Sequence, residues 1–317
     1  MRMKVFSAVQ GLSEAIRSLG LFVGLCLPAL ASAQELEVQQ VTAQVWAIVG
    51  PTEQRNSDNL ANNATFGLIE TGEGAVLVDP GGSAKGAEAL HAIVQGLTDQ
   101  PVKYVINTGG QDHRWLGNGY WQARGAQVIA SEAAVADQKA RGSMQISALS
   151  QMLGGALEGT EPSFADIIFE TDYQLDLGGM RFDIMHRGAA HTLGDSFVWL
   201  AAQDVMFTGD IVYVDRMLGI GPAGDTASWL EVFDAMAGFD AGHIVPGHGG
   251  ATDMAQARAE TRDYLAHLRH AIGQIIETGG SIDAGTHIDQ SQFSHLAVFD
   301  QIARKNAQNL YMQMEWE

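Results

Sequence analysis

The chain has 317 residues, and its 37 acidic residues against 18 basic residues give a formal net charge of −19. This charge repels phosphate backbones and anionic lipid headgroups, so nucleic-acid binding and peripheral membrane binding are disfavoured. We expect a small-molecule substrate instead.

The N-terminal segment has the layout of a secretory signal. Arg2, Lys4 and Arg17 precede an apolar run at residues 19–30, and a small Ala-Ser-Ala segment then ends at Ala33. We predict cleavage after Ala33, a periplasmic mature protein and no membrane insertion after cleavage. A membrane anchor is the alternative, but the run is about a dozen residues long and a bilayer span needs about 20.

Cys26 is the only cysteine of the chain, and it leaves with the predicted signal. The mature protein would then have no disulfide, no thiolate metal ligand and no cysteine nucleophile. Any metal must be held by His, Asp, Glu or water. Lipid attachment at Cys26 is disfavoured because Leu25 stands where such sites usually have a small residue.

Residues 34–317 alternate β-rich and helical stretches, which predicts a single large domain. The predicted strands of the first half lie at 44–49, 65–70, 75–79, 102–107 and 126–130. The predicted helices lie at 84–97, 115–124 and 132–153, and a loop follows at 154–164.

The second half repeats this mixture. Its predicted strands lie at 173–177, 181–185, 196–201, 205–208 and 243–245, and its helices at 228–237, 254–278 and 290–312. Two β-rich halves that each carry helices predict an α+β fold, an αββα sandwich with helices outside two sheets. We place its core at about residues 40–250 and the C-terminal helices at 251–317.

Four predicted strands run directly into short Gly-containing segments that carry His or Asp. These segments contain Asp112 with His113, then His191, Asp210 and His248. If the strands share sheets, their carboxyl ends cluster, and so do these side chains. Imidazole and carboxylate together suit zinc, iron or manganese.

In their order along the chain and in their sequence motifs, these segments resemble the metallo-β-lactamase superfamily over about residues 40–250. The resemblance includes the aspartate turn at Asp79, the third histidine segment around His191, the Thr-Gly-Asp that ends at Asp210, and the Pro-Gly-His that ends at His248. It implies two mixed β-sheets flanked by helices and a metal-dependent hydrolase. The sequence of residues 107–113 is also similar to that of an exported branch of the superfamily associated with sulfur oxidation and quinoproteins. This similarity implies a sulfur-containing substrate or partner.

The chain departs from the family in the first motif. The family has His-x-His-x-Asp-His after Asn-Thr, whereas residues 107–113 read Asn-Thr-Gly-Gly-Gln-Asp-His. With Asp112 and His113 aligned on the family's Asp-His, Thr108 and Gly110 stand in place of two histidines. The dinuclear site is therefore expected to be incomplete.

The resemblance implies that the first metal site keeps only His191 and a share of Asp210. The second site would keep Asp112, His113, Asp210 and His248, which is enough for one metal with water completing the shell. We predict a mononuclear site with about one zinc per chain, and iron as the alternative metal.

A metal held in this way lowers the pKa of bound water and supplies hydroxide for attack on a carbonyl, ester or sulfur-bearing substrate. We predict that Asp112 or Asp210 orients this water as a catalytic residue. Arg114, Gln111 or His191 would stabilise the developing charge.

Two other functions stay open. The missing histidines favour a degenerate binding or accessory protein that has kept the pocket and lost turnover. If His113, His191 and one aspartate bind together, they form a two-histidine, one-carboxylate set that suits an iron-dependent sulfur dioxygenase.

Three further residues have structural explanations. Asp79 is expected to cap the turn that follows it, and Asp195 to hold the loop that carries His191. His186 is a less favoured substitute for a lost ligand, since it follows an apolar strand and fits the rim of the pocket.

Overall fold

A computed structural model describes residues 36–317, so the predicted signal segment at residues 1–33 lies outside the described residues. The first sheet has seven strands, which are neighbours in chain order. They are β1 (Glu37–Thr42), β2 (Val45–Val49), β3 (Thr65–Glu70), β4 (Ala75–Val78), β5 (Val102–Ile106), β6 (Gln127–Ser131) and β7 (Ile167–Phe169). Pairing is antiparallel from β1 to β4 and parallel from β4 to β7.

The second sheet has five strands in the order β12-β11-β10-β9-β8. They are β8 (Asp172–Leu177), β9 (Met180–His186), β10 (Ser196–Leu200), β11 (Val205–Phe207) and β12 (His243–Val245). β11 and β12 are parallel and the other pairs antiparallel, so this sheet is also mixed.

The helices follow the two sheets along the chain. They are α1 (Ala84–Leu97), α2 (Asn118–Gln122), α3 (Glu132–Leu153), α4 (Thr226–Ala237), α5 (Met254–Ala257), α6 (Asp263–Glu277), α7 (Ile282–Gly285) and α8 (Phe299–Met314). None of the helices in residues 36–317 combines the length and the hydrophobicity that a membrane-spanning helix requires.

The apolar residues of the strands supply cores on both faces of the sheets. In β4, Val76 and Val78 pack between the two sheets, while Ala75 and Leu77 pack on the outer face with α1. This alternation follows from the two-residue period of a strand. On the outer face of the second sheet, α4, α6 and α8 cover a further core. The predicted αββα sandwich is confirmed.

The C-terminal region differs from the prediction in detail. A π-helical segment, Arg258–Arg262, separates α5 from α6 where one continuous helix was predicted. The last helix begins at Phe299, because Ala297 pairs with Arg216 as an isolated bridge and Val298 has a φ of 57°. Neither conformation belongs to a right-handed helix.

The sheet topology brings the ends of several strands to one edge. β4 and β5 are parallel, and so are β11 and β12. The segments that leave their carboxyl ends therefore emerge together. These segments carry Asp79, His113, Asp210 and His248.

The predicted helix at 115–124 is shortened to α2, because Trp115, which ends a 3₁₀ turn at Asp112–Arg114, has a φ of −152°.

Candidate metal centre

Three of the five predicted ligands meet in the protein interior. His113, Asp210 and His248 are buried, and their candidate ligand atoms lie within 4.8 Å of one another. Nε2 of His113 lies 3.1 Å from Oδ2 of Asp210, and Nε2 of His248 lies 3.2 Å from Oδ1 of the same carboxylate. Two imidazole nitrogens and a carboxylate form a possible metal-binding triad.

Gly209 allows the chain to direct Asp210 toward the two histidines. Its φ is 51°, in the left-handed region that favours glycine. A Cβ at this position would clash with Oγ1 of Thr108. Only glycine satisfies both conditions without rearrangement.

The hydrogen bonds of His248 leave its Nε2 as an acceptor. Nδ1 lies 2.7 Å from the carbonyl oxygen of Asn63, so Nδ1 carries the proton and donates it. Burial lowers the pKa of His248 well below its ordinary value, although Asp210 opposes this shift. The ring is therefore neutral, and its Nε2 lone pair faces the carboxylate of Asp210. Two acceptors 3.2 Å apart repel each other unless a cation binds between them, and a metal ion fits this requirement.

Tyr213 fixes the plane of the His248 ring. The two rings stack with their centroids 4.5 Å apart and an interplanar angle of 16°. Tyr213 is buried, so its own ring has little freedom to move. The orientation of His248 is thus set before any metal binds.

Asp112 lies behind His113 and outside the three-residue group. Its Oδ1 lies 3.1 Å from Nδ1 of His113 and accepts the backbone N–H of His113 at 2.8 Å. Nη2 of Arg55 lies 2.7 Å from that oxygen and 2.9 Å from Nδ1 of His113. Burial would raise the pKa of Asp112, but Arg55 and His113 outweigh burial and lower it far below its ordinary value. The structure thus places this carboxylate where it orients the histidine ring.

Arg114 is buried away from the cavity, so its predicted role toward developing charge is corrected. It donates from Nη1 to Asp79 and from Nη2 to Asp210, both at 2.7 Å, and its side chain is 0% exposed. It also donates to the carbonyl oxygens of Thr65 and Gly247. Burial would raise the pKa of Asp210, but Arg114 and His113 hold it well below its usual range. Arg114 therefore keeps Asp210 ionised.

These positions favour a different alignment of the first motif. If the family pattern is counted from the shared Asn-Thr, Gly109 and Gln111 stand in place of the two histidines. His113 then takes the place of the aspartate, and Arg114 that of the last histidine. The structure agrees with this count, since His113 and Arg114 contact Asp210 and Asp112 does not join the group.

His191 lies near the triad without joining it. Nδ1 donates to the carbonyl oxygen of Gly219 at 3.0 Å, which leaves Nε2 as an acceptor. Burial lowers the pKa of His191 to about 4, against the opposing charge of Asp210. The neutral ring lines the same cavity as His113 and His248.

Other side chains fill the space beside the two glycines of the first motif. A Cβ on Gly109 would clash with Oδ1 of Asp195, and a Cβ on Gly110 with Oδ2 of Asp137. The carbonyl oxygen of Gly110 also accepts a 2.9 Å hydrogen bond from Gln145 on α3. The described structure thus has no room for a histidine at either glycine without rearrangement.

Asp79, Asp195 and His186 have structural contacts. Asp79 has a φ of 65° and accepts the backbone N–H of Thr108 at 2.8 Å. Asp195 accepts the backbone N–H of Thr192 at 2.6 Å, within the loop that carries His191, as predicted. His186 is outside the triad, with Nδ1 2.8 Å from the carbonyl oxygen of Asp195.

A cavity of about 300 Å³ opens beside the triad. His113, His191 and His248 line it, together with Arg55 and Arg216. Sequence reasoning missed both arginines because they stand outside the family motifs. Aligning the family motif from Asn107 and Thr108 could have indicated that Arg114 contacts Asp210. No local sequence pattern identifies Arg55 or Arg216.

Known proteins share this fold. The family model of the metallo-β-lactamase superfamily matches residues 61–248. The type 2 metallo-β-lactamase of Bacteroides fragilis is 21% identical over 281 residues, which cover 83% of this chain and 98% of that protein. A metallo-β-lactamase from Pontibacter korlensis is 23% identical with a TM-score of 0.58, covering 73% of this chain and 99% of the other.

A sec-alkylsulfatase from Pseudomonas sp., described as stereoselective and inverting, is 16% identical with a TM-score of 0.66. The match covers 88% of this chain and 50% of that one. With sheets, triad and family match in agreement, the chain belongs to the metallo-β-lactamase superfamily.

Proposed function

We propose that this protein is an exported, periplasmic hydrolase that uses one metal ion, held by His113, Asp210 and His248, to activate water. The observation that carries the proposal is the contact between Nε2 of a neutral His248 and the ionised carboxylate of Asp210. That arrangement is unfavourable without a cation and favourable with one.

When bound, the metal supplies a Lewis acid and lowers the pKa of a coordinated water. The residues of the chain hold this centre in place. Asp112 and Arg55 orient His113, while Tyr213 and the carbonyl of Asn63 orient His248. Such outer contacts commonly change metal affinity or activity by about 10- to 100-fold when they are removed.

Among the neutral polar side chains that line the cavity, we assign His191 and Gln111 to orienting a substrate. His191 has a pKa of about 4 and an unprotonated Nε2, so it accepts hydrogen bonds near neutral pH. The low pKa values of Asp112 and Asp210 make both carboxylates weak bases. We therefore assign Asp112 to orienting His113 and Asp210 to holding the metal, with water activation left to the metal.

The decisive experiment measures metal content by elemental analysis in wild type, His248→Ala and His270→Ala. His270 is an exposed residue of α6 that belongs neither to the triad nor to the lining of the cavity, so it serves as a matched control. We expect about one zinc per chain in wild type and control and none in His248→Ala. Iron in place of zinc would favour oxygen chemistry over hydrolysis. A protein that takes up no metal would contradict the proposed hydrolase.

Activity is then screened on the metal-loaded protein. The names of the similar proteins, lactamases and an alkylsulfatase, make β-lactams, sulfate esters and carboxylic esters the first panel. Loss of turnover in His113→Ala, with folding verified by circular dichroism, supports the hydrolase. Fractionation and N-terminal sequencing test the location, with Gln34 expected as the first residue of the periplasmic form.

An accessory protein without turnover is the second candidate. The pairing of Arg114 with Asp210 favours it, because a guanidinium already supplies positive charge to this carboxylate. In that case the metal-loaded wild type hydrolyses nothing in the panel, and Asp112→Ala leaves ligand or partner binding unchanged.

A further inference from the structure

The cavity beside the triad is basic although the protein is acidic. Arg55, Arg216 and Lys305 line it, and among the residues that the structure describes, no Asp or Glu does. The whole chain has about twice as many acidic as basic residues, 37 against 18. The sign of charge in this cavity is therefore opposite to that of the protein as a whole.

Arg216 is the unusual member of this set. It is only 5% exposed, and its N–H groups donate to neutral oxygens of Thr52, Gln54 and Met217 at 2.9, 3.1 and 3.2 Å. Within residues 36–317, no carboxylate lies within ion-pair distance of its guanidinium, whereas Arg55 pairs with Asp112. A buried charge without a counter-ion destabilises a fold.

The position of Arg216 indicates that an anion in the cavity would offset the destabilisation by this buried charge. Arg216 lines the cavity three residues after Tyr213, whose ring stacks on His248. An anion that enters the cavity would therefore meet both a desolvated guanidinium and the triad. Guanidinium groups bind carboxylates and sulfur oxyanions through paired N–H donors, and such charge-assisted bonds are strong where water is excluded.

The other residues that line the cavity indicate the chemistry of the uncharged part of the ligand. Ile220, Pro222 and Ile302 give the cavity an apolar side, and Lys305 is exposed at its solvent side. A volume of about 300 Å³ suits a small molecule. The occupant that matches these walls has a compact hydrocarbon part and one anionic group.

We infer that the substrate is a small organic oxyanion, a carboxylate or sulfonate or sulfate, whose charged group binds Arg216 with Lys305 assisting. Its labile bond then lies on the side of His113 and His248. The inference rests on the proposed function only in treating the bound anion as a substrate.

Calorimetric titration with matched pairs of probes tests this inference. Benzoate and benzamide have nearly the same shape and differ in charge, and so do benzenesulfonate and benzenesulfonamide. We expect at least one anion to bind at least about tenfold more tightly than its neutral partner. The preferred anion distinguishes a carboxylate from a sulfur oxyanion.

Three variants assign the binding to residues. Arg216→Gln should weaken anion binding about tenfold or more, and Lys305→Gln should weaken it several-fold. Arg304→Gln removes the same charge from a neighbouring exposed position of α8 that does not line the cavity, and it should have no effect. If Arg216→Gln does not fold, the comparison of anion affinity between Lys305→Gln and Arg304→Gln decides the result.

Equal binding of anion and neutral partner, no binding of any probe, or equal effects of the variants at 304 and 305 would overturn the inference. The titrations are repeated on chelator-treated protein, which separates this inference from the proposed function. Anion binding without hydrolysis under any metal contradicts only the hydrolase. Hydrolysis of neutral esters as fast as anionic ones contradicts only the anion preference.

Discussion

Nη2 of Arg114 lies 2.7 Å from Oδ1 of Asp210, and both side chains are fully excluded from solvent. The same guanidinium reaches Asp79 through Nη1, so one cation holds two buried carboxylates at the edge where the strands end. This pairing keeps Asp210 ionised between His113 and His248.

Removing the guanidinium should be strongly destabilising. Arg114→Met preserves much of the volume but leaves Asp79 and Asp210 buried without their partner, and we expect a loss of about 3–5 kcal/mol in unfolding free energy. Urea denaturation measures it. Arg181→Met is the control, because its pair with Asp183 is exposed and should contribute no more than about 1 kcal/mol. Equal losses in the two variants would contradict the role of Arg114.

A side chain at Gly110 should destabilise the first motif. Gly110→Ala places a methyl group against Asp137, and we expect a loss of about 1–3 kcal/mol by overpacking. Gly96→Ala is a matched control in α1, where no atom lies within 4 Å of the new Cβ, and it should stabilise the helix by up to about 1 kcal/mol. Melting temperatures of both variants test the contrast. A more stable Gly110→Ala would show that α3 yields readily at this point.

The stacked tyrosine should affect metal affinity separately from stability. Tyr213→Phe keeps the ring against His248, whereas Tyr213→Leu removes the stack and frees the imidazole to turn. We expect the leucine variant to bind zinc about tenfold more weakly and the phenylalanine variant to match wild type. Competition with a fluorescent chelator provides the affinities. Identical affinities in all three proteins would mean that the hydrogen bond to Asn63 suffices to hold the ring.

Asp195 should make stability fall as the pH rises. Burial, followed by the charge of Asp210, raises the pKa of Asp195 to about 8. Between the ordinary carboxyl pKa and this value, the unfolded chain releases a proton that the folded protein retains, so the folded state loses stability with increasing pH.

Asp195→Asn mimics the protonated form and should show a smaller decrease between pH 5 and pH 8 in urea denaturation with a chelator present. Asp58→Asn changes an exposed carboxylate and serves as the control. Parallel pH profiles for wild type and Asp195→Asn would refute the assignment.

Much of the fold could be predicted from local patterns. The run Ala75 to Val78 and its neighbouring strands are apolar on both faces, which indicates sheets covered on each side, and the glycine turns after strands mark the edge where polar side chains gather. For the same reason His113, Asp210 and His248 could be identified as candidate ligands from sequence alone.

The composition of the site depended on contacts between distant segments. Asp112 and His113 are adjacent in sequence, and only the position of Arg55 and the approach of Asp210 decide which of them faces the triad. Likewise, the isolation of Arg216 from any carboxylate in the described residues follows from what surrounds it in space. Periodicity and motif order specify strands and turns, but the partner of a buried charge is set by chain segments that only tertiary packing brings together.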